Sequence, residues 1–163
     1  MAHTAPFDYV IIGAGLTGLY AALELERLGW NGVILEQRAN PPPSQNPQAT
    51  PLSLATASPR VLAINPATIA GLMAVGISDE LLHQQGSSFV GMEVWDREWS
   101  GHLSFDASGL IIENHRLEAL LMARVIERQI PIRWSVQIRD SKVTEDAALL
   151  ELESGEHLES ALL

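Results

Sequence analysis

Apolar and polar positions fall into several rhythms along the chain, and each rhythm predicts its own element. Phe7 to Ile12 carries the β-rich run "YVII" and is stopped by Gly13, which predicts a buried strand. From Leu16 onward, Leu19, Leu23, Leu25 and Leu28 keep to roughly one face with Ala21 and Ala22 between them, and Gly29 supplies the stop of a helix. Gly32 then leads into a second short strand, Val33 to Leu35. "NPATIAGLMAVG" has a first-turn proline and a glycine stop, which predicts a helix from about Pro66 to Val75, and a shorter one follows around Ser78 to Gln85. Between Phe89 and Phe105 the pattern becomes aromatic and alternating with polar turn residues at its middle, the signature of a hairpin. "ENHRLEALLMARVIERQ" sets Leu117, Leu120, Leu121, Val125 and Ile126 on an apolar stripe; Pro131 ends that helix, and Ile132 to Trp134 returns to a parallel sheet. The tail alternates in pieces separated by "TEDA" and "ESGE", a meander of three short antiparallel strands.

Strand, helix, strand, then later helix, strand and meander is the order of an α/β domain with a partly parallel sheet. Between Arg38 and Arg60 the chain is rich in Pro, Ser, Thr, Gln and Asn without a lasting period, and reads as a long loop. At 163 residues the chain is long enough for one domain with a substantial core and short for two. Its 20 acidic and 10 basic side chains give a formal charge of -10, which argues against nucleic acid or an anionic membrane surface as partner. No cysteine is present, so disulfides, thiolate metal sites and cysteine nucleophiles are excluded, and the five histidines show no metal-ligand spacing. No apolar run is long enough to span a bilayer, and the N-terminus lacks a basic n-region, so the expectation is a cytoplasmic protein without a transmembrane segment.

The chemistry concentrates in Gly13-Ala14-Gly15-Leu16-Thr17-Gly18, a G-x-G-x-x-G between a predicted strand and a predicted helix. The first glycine permits the tight turn, the second lets a pyrophosphate approach the backbone, and the third lets the helix pack closely on the strand. First-turn amides and the helix dipole then face the phosphates. Glu36 ends the next strand 18 positions after Gly18, where a carboxylate accepts hydrogen bonds from ribose hydroxyls and repels a 2′-phosphate. Together these predict a dinucleotide site, without separating FAD from NAD. Thr17 either adds a hydroxyl to the phosphate cradle or caps the helix, and Arg38 either packs by the adenine or is a surface cation.

Four stretches carry a family resemblance: "DYVIIGAGLTGLYAALELERLG" with "VILEQ", "SPRVLAINPATIAGLMAVGI", "MEVWDREWSGHLSFDA" and "GLIIENHRLEALLMARV". In that order they resemble the flavin-dependent aromatic hydroxylases, most closely the 2-polyprenylphenol hydroxylases of ubiquinone biosynthesis. The resemblance implies a Rossmann-like FAD-binding domain of the glutathione-reductase kind, with a β-meander and an inserted hairpin. It makes residues 1–163 the N-terminal part of that domain, with residues 86–108 contributing strands on the substrate-domain side. It also implies a cofactor-binding set: Gly13, Gly15, Leu16, Thr17, Gly18, Glu36, Gln37 and Arg38 toward the ADP half of FAD, Arg60 toward the flavin side, and Asn114 at a helix start. By local sequence alone Arg60 is a solvated loop cation and Asn114 an N-cap.

The reaction implied for the family is hydroxylation of an electron-rich phenol, with NAD(P)H as reductant and O2 as the oxygen source. A small aromatic, prenylated substrate follows from the ubiquinone branch, and the resemblance leaves peripheral membrane contact, an oligomer or ubiquinone-pathway partners open. No catalytic acid or base is nominated: Asp96 and Asp106 read as turn residues, and Trp95 and Trp99 as hairpin packing. The family's later "GADG" and "GDAAH" segments do not follow "HLESALL", so the chain looks truncated relative to it. Two other readings stay open: another flavin or nicotinamide oxidoreductase of the same fold, and a non-catalytic nucleotide-binding or interaction module.

Overall fold

A computed structural model describes residues 7–40, 59–95, 101–145 and 147–163. The chain divides into two compact units, the first holding the described residues of 1–46 and 121–163, the second those of 47–120. The first unit contains β1 (Phe7–Ile12), α1 (Leu16–Arg27), β2 (Gly32–Glu36), β8 (Ile132–Trp134), β9 (Ile138–Val143), β10 (Ala148–Leu152) and β11 (His157–Leu162). The second contains β3 (Val61–Ile64), α2 (Pro66–Ala74), α3 (Asp79–Gln85), β4 (Gly86–Phe89), β5 (Met92–Trp95), β6 (His102–Phe105) and β7 (Gly109–Glu113). The division falls inside α4 (Asn114–Glu127).

In the first unit a six-stranded sheet runs in the order β8-β2-β1-β11-β10-β9. β1 pairs parallel with β2 in the register Val10↔Val33 and Ile12↔Leu35, and β2 pairs parallel with β8 through Ile34↔Ile132 and Glu36↔Trp134. The meander joins on the other side, because β11 runs parallel to β1 while β10 is antiparallel to both β11 and β9. This placement explains why "YVII" and "GVILE" are continuous rather than alternating. Interior strands of a sheet covered on both faces need apolar residues on both, and every residue of β2 is buried. The Tyr9 hydroxyl reaches the Ala22 carbonyl of α1 at 3.4 Å. Val10, Val33 and Leu35 instead pack with Leu150, Leu152 and Leu158 of the meander, closed by Phe7, Val136 and Ile138.

In the second unit β3, β7 and β4 form an antiparallel sheet, with Leu110 and Ile112 of its central strand fully buried. Asn65 caps α2 by accepting the Thr68 N–H at 2.8 Å ahead of Pro66, and Ser78 caps α3 by accepting the Leu81 N–H at 3.2 Å. β5 and β6 form a separate ribbon on which Met92 faces Phe105 and Val94 faces Leu103, all four exposed.

Most predicted elements are present within a residue or two, and three corrections stand out. The sheet β3-β7-β4 has no counterpart in the pattern-based expectations: its strands are short, and "GSSF" of β4 has no apolar alternation, so pairing with β7 makes it a strand. Ile126 is 65% exposed although it was assigned to the apolar stripe, because it lies one helical step past Val125, which holds the buried arc. Leu28 is also exposed, since α1 ends at Arg27 and Leu28 is its C-cap. The long loop between Arg38 and Arg60 falls mostly outside the described residues, as do Asp96 and Trp99.

Because Leu150 ties the meander to the parallel strands, Leu150→Ala is expected to destabilise the fold by about 3 kcal/mol through lost burial and an unfilled cavity. Urea unfolding of parent and variant measures this.

Candidate functional site

β1 ends where its last residue hands the chain to a tight turn. Gly13 adopts φ +99°, a left-handed backbone that a side chain would strain. Its N–H donates to the Leu35 carbonyl at 2.8 Å, so the turn is tied to β2 as it leaves β1. A Cβ at Gly18 would fall inside contact distance of the Gly13 carbonyl oxygen, which is why α1 needs glycine there to return so close to the strand. A Cβ at Gly15 would meet nothing within 4 Å. Only the space in front of the loop would be filled, so this glycine keeps open an approach to the backbone.

α1 starts on Gly15 as N-cap with no side-chain cap bond and no acidic residue in its first turn. The first-turn N–H groups of an α-helix have no intrahelical acceptor, and here neither a cap side chain nor a first-turn carboxylate satisfies them. Thr17 lies inside the helix and is exposed, so it is not the cap. That removes one of its two readings.

Glu36 closes β2 and is 6% exposed. Its Oε2 accepts the Ala14 N–H at 2.7 Å and its Oε1 accepts the Arg38 N–H at 2.8 Å. The Arg38 guanidinium adds Nη2 to Oε2 at 3.3 Å and Nε facing Oε1 at 3.2 Å, while Nη2 also donates to the Ala14 carbonyl at 3.0 Å. Burial by itself raises the Glu36 pKa; the guanidinium and the two backbone N–H donors together outweigh it and hold the carboxyl down to about 2. Glu36 is therefore an anion at any physiological pH.

The strand end is also held from behind. Val136 N–H donates to the Glu36 carbonyl and Ser135 N–H to the Arg38 carbonyl, both at 3.0 Å. Gln37, between them, is exposed.

In the second unit, Asn114 is the first residue of α4, and its N–H donates to the Arg60 carbonyl at 2.9 Å. Arg60, expected toward the flavin side, and Asn114, expected at a helix start, are thus joined through backbone. Beneath that helix start, the 3%-exposed Arg116 guanidinium donates from Nε to Glu113 Oε2 at 2.7 Å and from Nη1 to Gln85 Oε1 at 2.8 Å. A buried cation hydrogen-bonded to Glu113 and Gln85 holds the turn on which Asn114 sits.

Sequence reasoning missed two contributors. Ala14 works only through its backbone N–H and carbonyl, so its identity carries no signal beyond its place as the first x of G-x-G. Arg116 was not singled out; its spacing of three from Glu113 was the available clue. Among the described residues no cluster of metal-ligating side chains occurs.

A glycine turn leaving a parallel strand, a helix N-terminus at its mouth and an anionic carboxylate on the neighbouring strand define a Rossmann-like dinucleotide-binding unit. The chain matches the model of the FAD binding domain over residues 7–161 and belongs to that family. Among solved structures it is similar to the Diels-Alderase PyrE3 of pyrroindomycin biosynthesis at 26% identity and TM-score 0.63, covering 95% of this chain and 31% of that one. It is similar to p-nitrophenol 4-monooxygenase PnpA from Pseudomonas putida DLL-E4 at 20% identity and TM-score 0.64, covering 96% and 40%. A third is the flavin-dependent monooxygenase PieE, solved in complex with FAD and substrate, at 18% identity and TM-score 0.65, covering 96% and 29%. The chain therefore spans between 29% and 40% of the length of these three proteins. The residues of the first unit fit the ADP part of FAD: the backbone in front of Gly15 is open, and the carboxylate that would take a ribose is in place and charged.

The folded-state pKa of Glu36 lies below its ordinary value of 4.5, so its stabilising contribution is complete above about pH 5 and is lost as pH falls toward 2. The shift corresponds to about 2–3 kcal/mol once screening of the half-exposed guanidinium is allowed for. Urea unfolding of parent and Glu36→Gln is expected to differ by this amount at pH 7, with the gap closing between pH 5 and pH 2.

Proposed function

We propose that this chain is the FAD-binding portion of a flavin-dependent monooxygenase that hydroxylates a small aromatic ring. The observation that carries the reading is the buried Glu36 carboxylate, held against the glycine loop by the Ala14 N–H at 2.7 Å. In this reading Glu36 takes the ribose diol, the backbone from Gly13 to Gly18 with the first turn of α1 takes the pyrophosphate, and Arg38 and Gln37 border the adenosine. Arg60 would offer forked donors to phosphate or ribitol oxygens and Asn114 an amide at the same cofactor. When bound, FAD would supply the redox chemistry, with NAD(P)H as reductant and O2 as the source of the transferred oxygen atom. The chain's own residues bind and orient.

Resemblance of the four stretches together to the ubiquinone-branch hydroxylases supports a polyprenylphenol as substrate, and with it a cytoplasmic protein touching a membrane surface or neighbouring enzymes of that pathway. Among the described residues no helix is long and apolar enough to cross a membrane.

Titration of the purified chain with FAD and with ADP, followed by flavin fluorescence and calorimetry, tests the reading. Binding of both is expected. Glu36→Ala should weaken ADP about 10- to 100-fold, the range for hydrogen bonds to a charged group. Gly15→Val should abolish ADP binding while leaving the fold intact, because its side chain enters open space rather than the core. Undiminished affinity in the Gly15→Val variant would refute the loop assignment.

A further inference from the structure

The carboxylate assigned to the ribose is already occupied by the chain itself. An ionised carboxyl group offers about four lone-pair positions; on Glu36 three are taken by hydrogen bonds from the Ala14 N–H, the Arg38 N–H and Nη2 of Arg38, and Nε of Arg38 stands over Oε1 at 3.2 Å as an ion pair. A ribose diol brings two further O–H donors. Both can be accepted only where an existing donor leaves.

The donors are not equivalent. The two backbone N–H contacts are short, at 2.7 and 2.8 Å, and belong to segments fixed on several sides: Ala14 is fully buried, and the Ser135 and Val136 N–H groups hold the main chain of Arg38 and Glu36. The guanidinium contacts are longer, at 3.2 and 3.3 Å, and come from a side chain that is 58% exposed. Rotating that side chain away frees the Oε2 position held by Nη2 and uncovers Oε1 without moving the backbone, which gives the two hydroxyls of a ribose one position on each oxygen. The same movement breaks the Nη2 contact to the Ala14 carbonyl and so releases a bridge between β2 and the glycine loop.

We propose that Arg38 is a latch: in the nucleotide-free chain its guanidinium occupies the ribose positions of Glu36 and clamps the glycine loop to the strand end, and adenosine binds by displacing it. This rests on the assignment of Glu36 to the ribose. Arg38 then sets cofactor affinity by competition rather than by attraction. It also holds the glycine loop in its binding shape, since the bridge joins the two backbone segments that the nucleotide would otherwise join. A partly exposed ion pair of this kind sets the scale at about two- to fivefold in a binding constant.

The probe is AMP, compared with its 2′,3′-dideoxy analogue, which has no diol and does not need the latch to open. Arg38→Met removes the guanidinium and keeps the aliphatic stem for any packing on adenine. By calorimetry on the whole chain, the variant is expected to bind AMP about two- to fivefold more tightly relative to the dideoxy analogue than the parent does. Without ligand it should unfold at lower urea than the parent, and saturating AMP should remove that difference. An AMP preference in Arg38→Met equal to or below that of the parent overturns the latch while leaving the ribose assignment standing. Unliganded stability equal to the parent's also overturns it. A parent that fails to prefer AMP over the dideoxy form overturns the ribose assignment and the latch together.

Discussion

One hydrogen bond organises the glycine-loop end of the first unit: the Ala14 N–H donating to a buried Glu36 carboxylate at 2.7 Å. It joins the turn leaving one strand to the last residue of the next. It also leaves a charge in a mostly dehydrated place, which is tolerable only because other donors share it. Burial alone would favour the neutral acid; the surrounding N–H groups and guanidinium reverse that and keep the group ionised. A fixed anion beside a helix N-terminus gives the site both signs of charge within one turn of chain. The helix end suits phosphate, and the carboxylate suits hydroxyl donors.

That arrangement depends on the sheet behind it. Parallel pairing of β1 with β2 and of β2 with β8 aligns the carboxyl ends of the strands, so the loop after β1 and the residue closing β2 arrive at the same edge. Gly18 allows α1 to lie against the turn that precedes it, and the meander buries the opposite side of the sheet through Leu150, Leu152 and Leu158. Apolar packing therefore fixes positions that the polar groups at the edge then use.

The second unit is organised differently. Its helix start, which carries Asn114, is held by backbone pairing to Arg60 and by a buried Arg116 shared between Glu113 and Gln85. A guanidinium suits this place because its donors are arranged in a rigid fork and it cannot lose its proton. Removing one partner from such a network leaves a buried charge uncompensated.

Much of this was legible in order of residues alone. The glycines, the helix period, the acidic strand end and the tail's three alternating pieces depend on local backbone geometry and on which faces are buried, and both leave periodic marks. β1, α1, β2, β8 and the meander were accordingly foreseen, as was Glu36 at the end of its strand. Strands β3 and β7 were not, and although residues 86–108 were expected to contribute strands, no alternation marks "GSSF", which becomes a strand only through hydrogen bonds to a partner twenty or more residues away. Nor could spacing reveal that Ala14 rather than a glycine meets the carboxylate, that Arg38 folds back over the same group, or that Arg116 is buried. Those are contacts between side chain and backbone brought together by the tertiary fold, and they depend on distances that no residue order records.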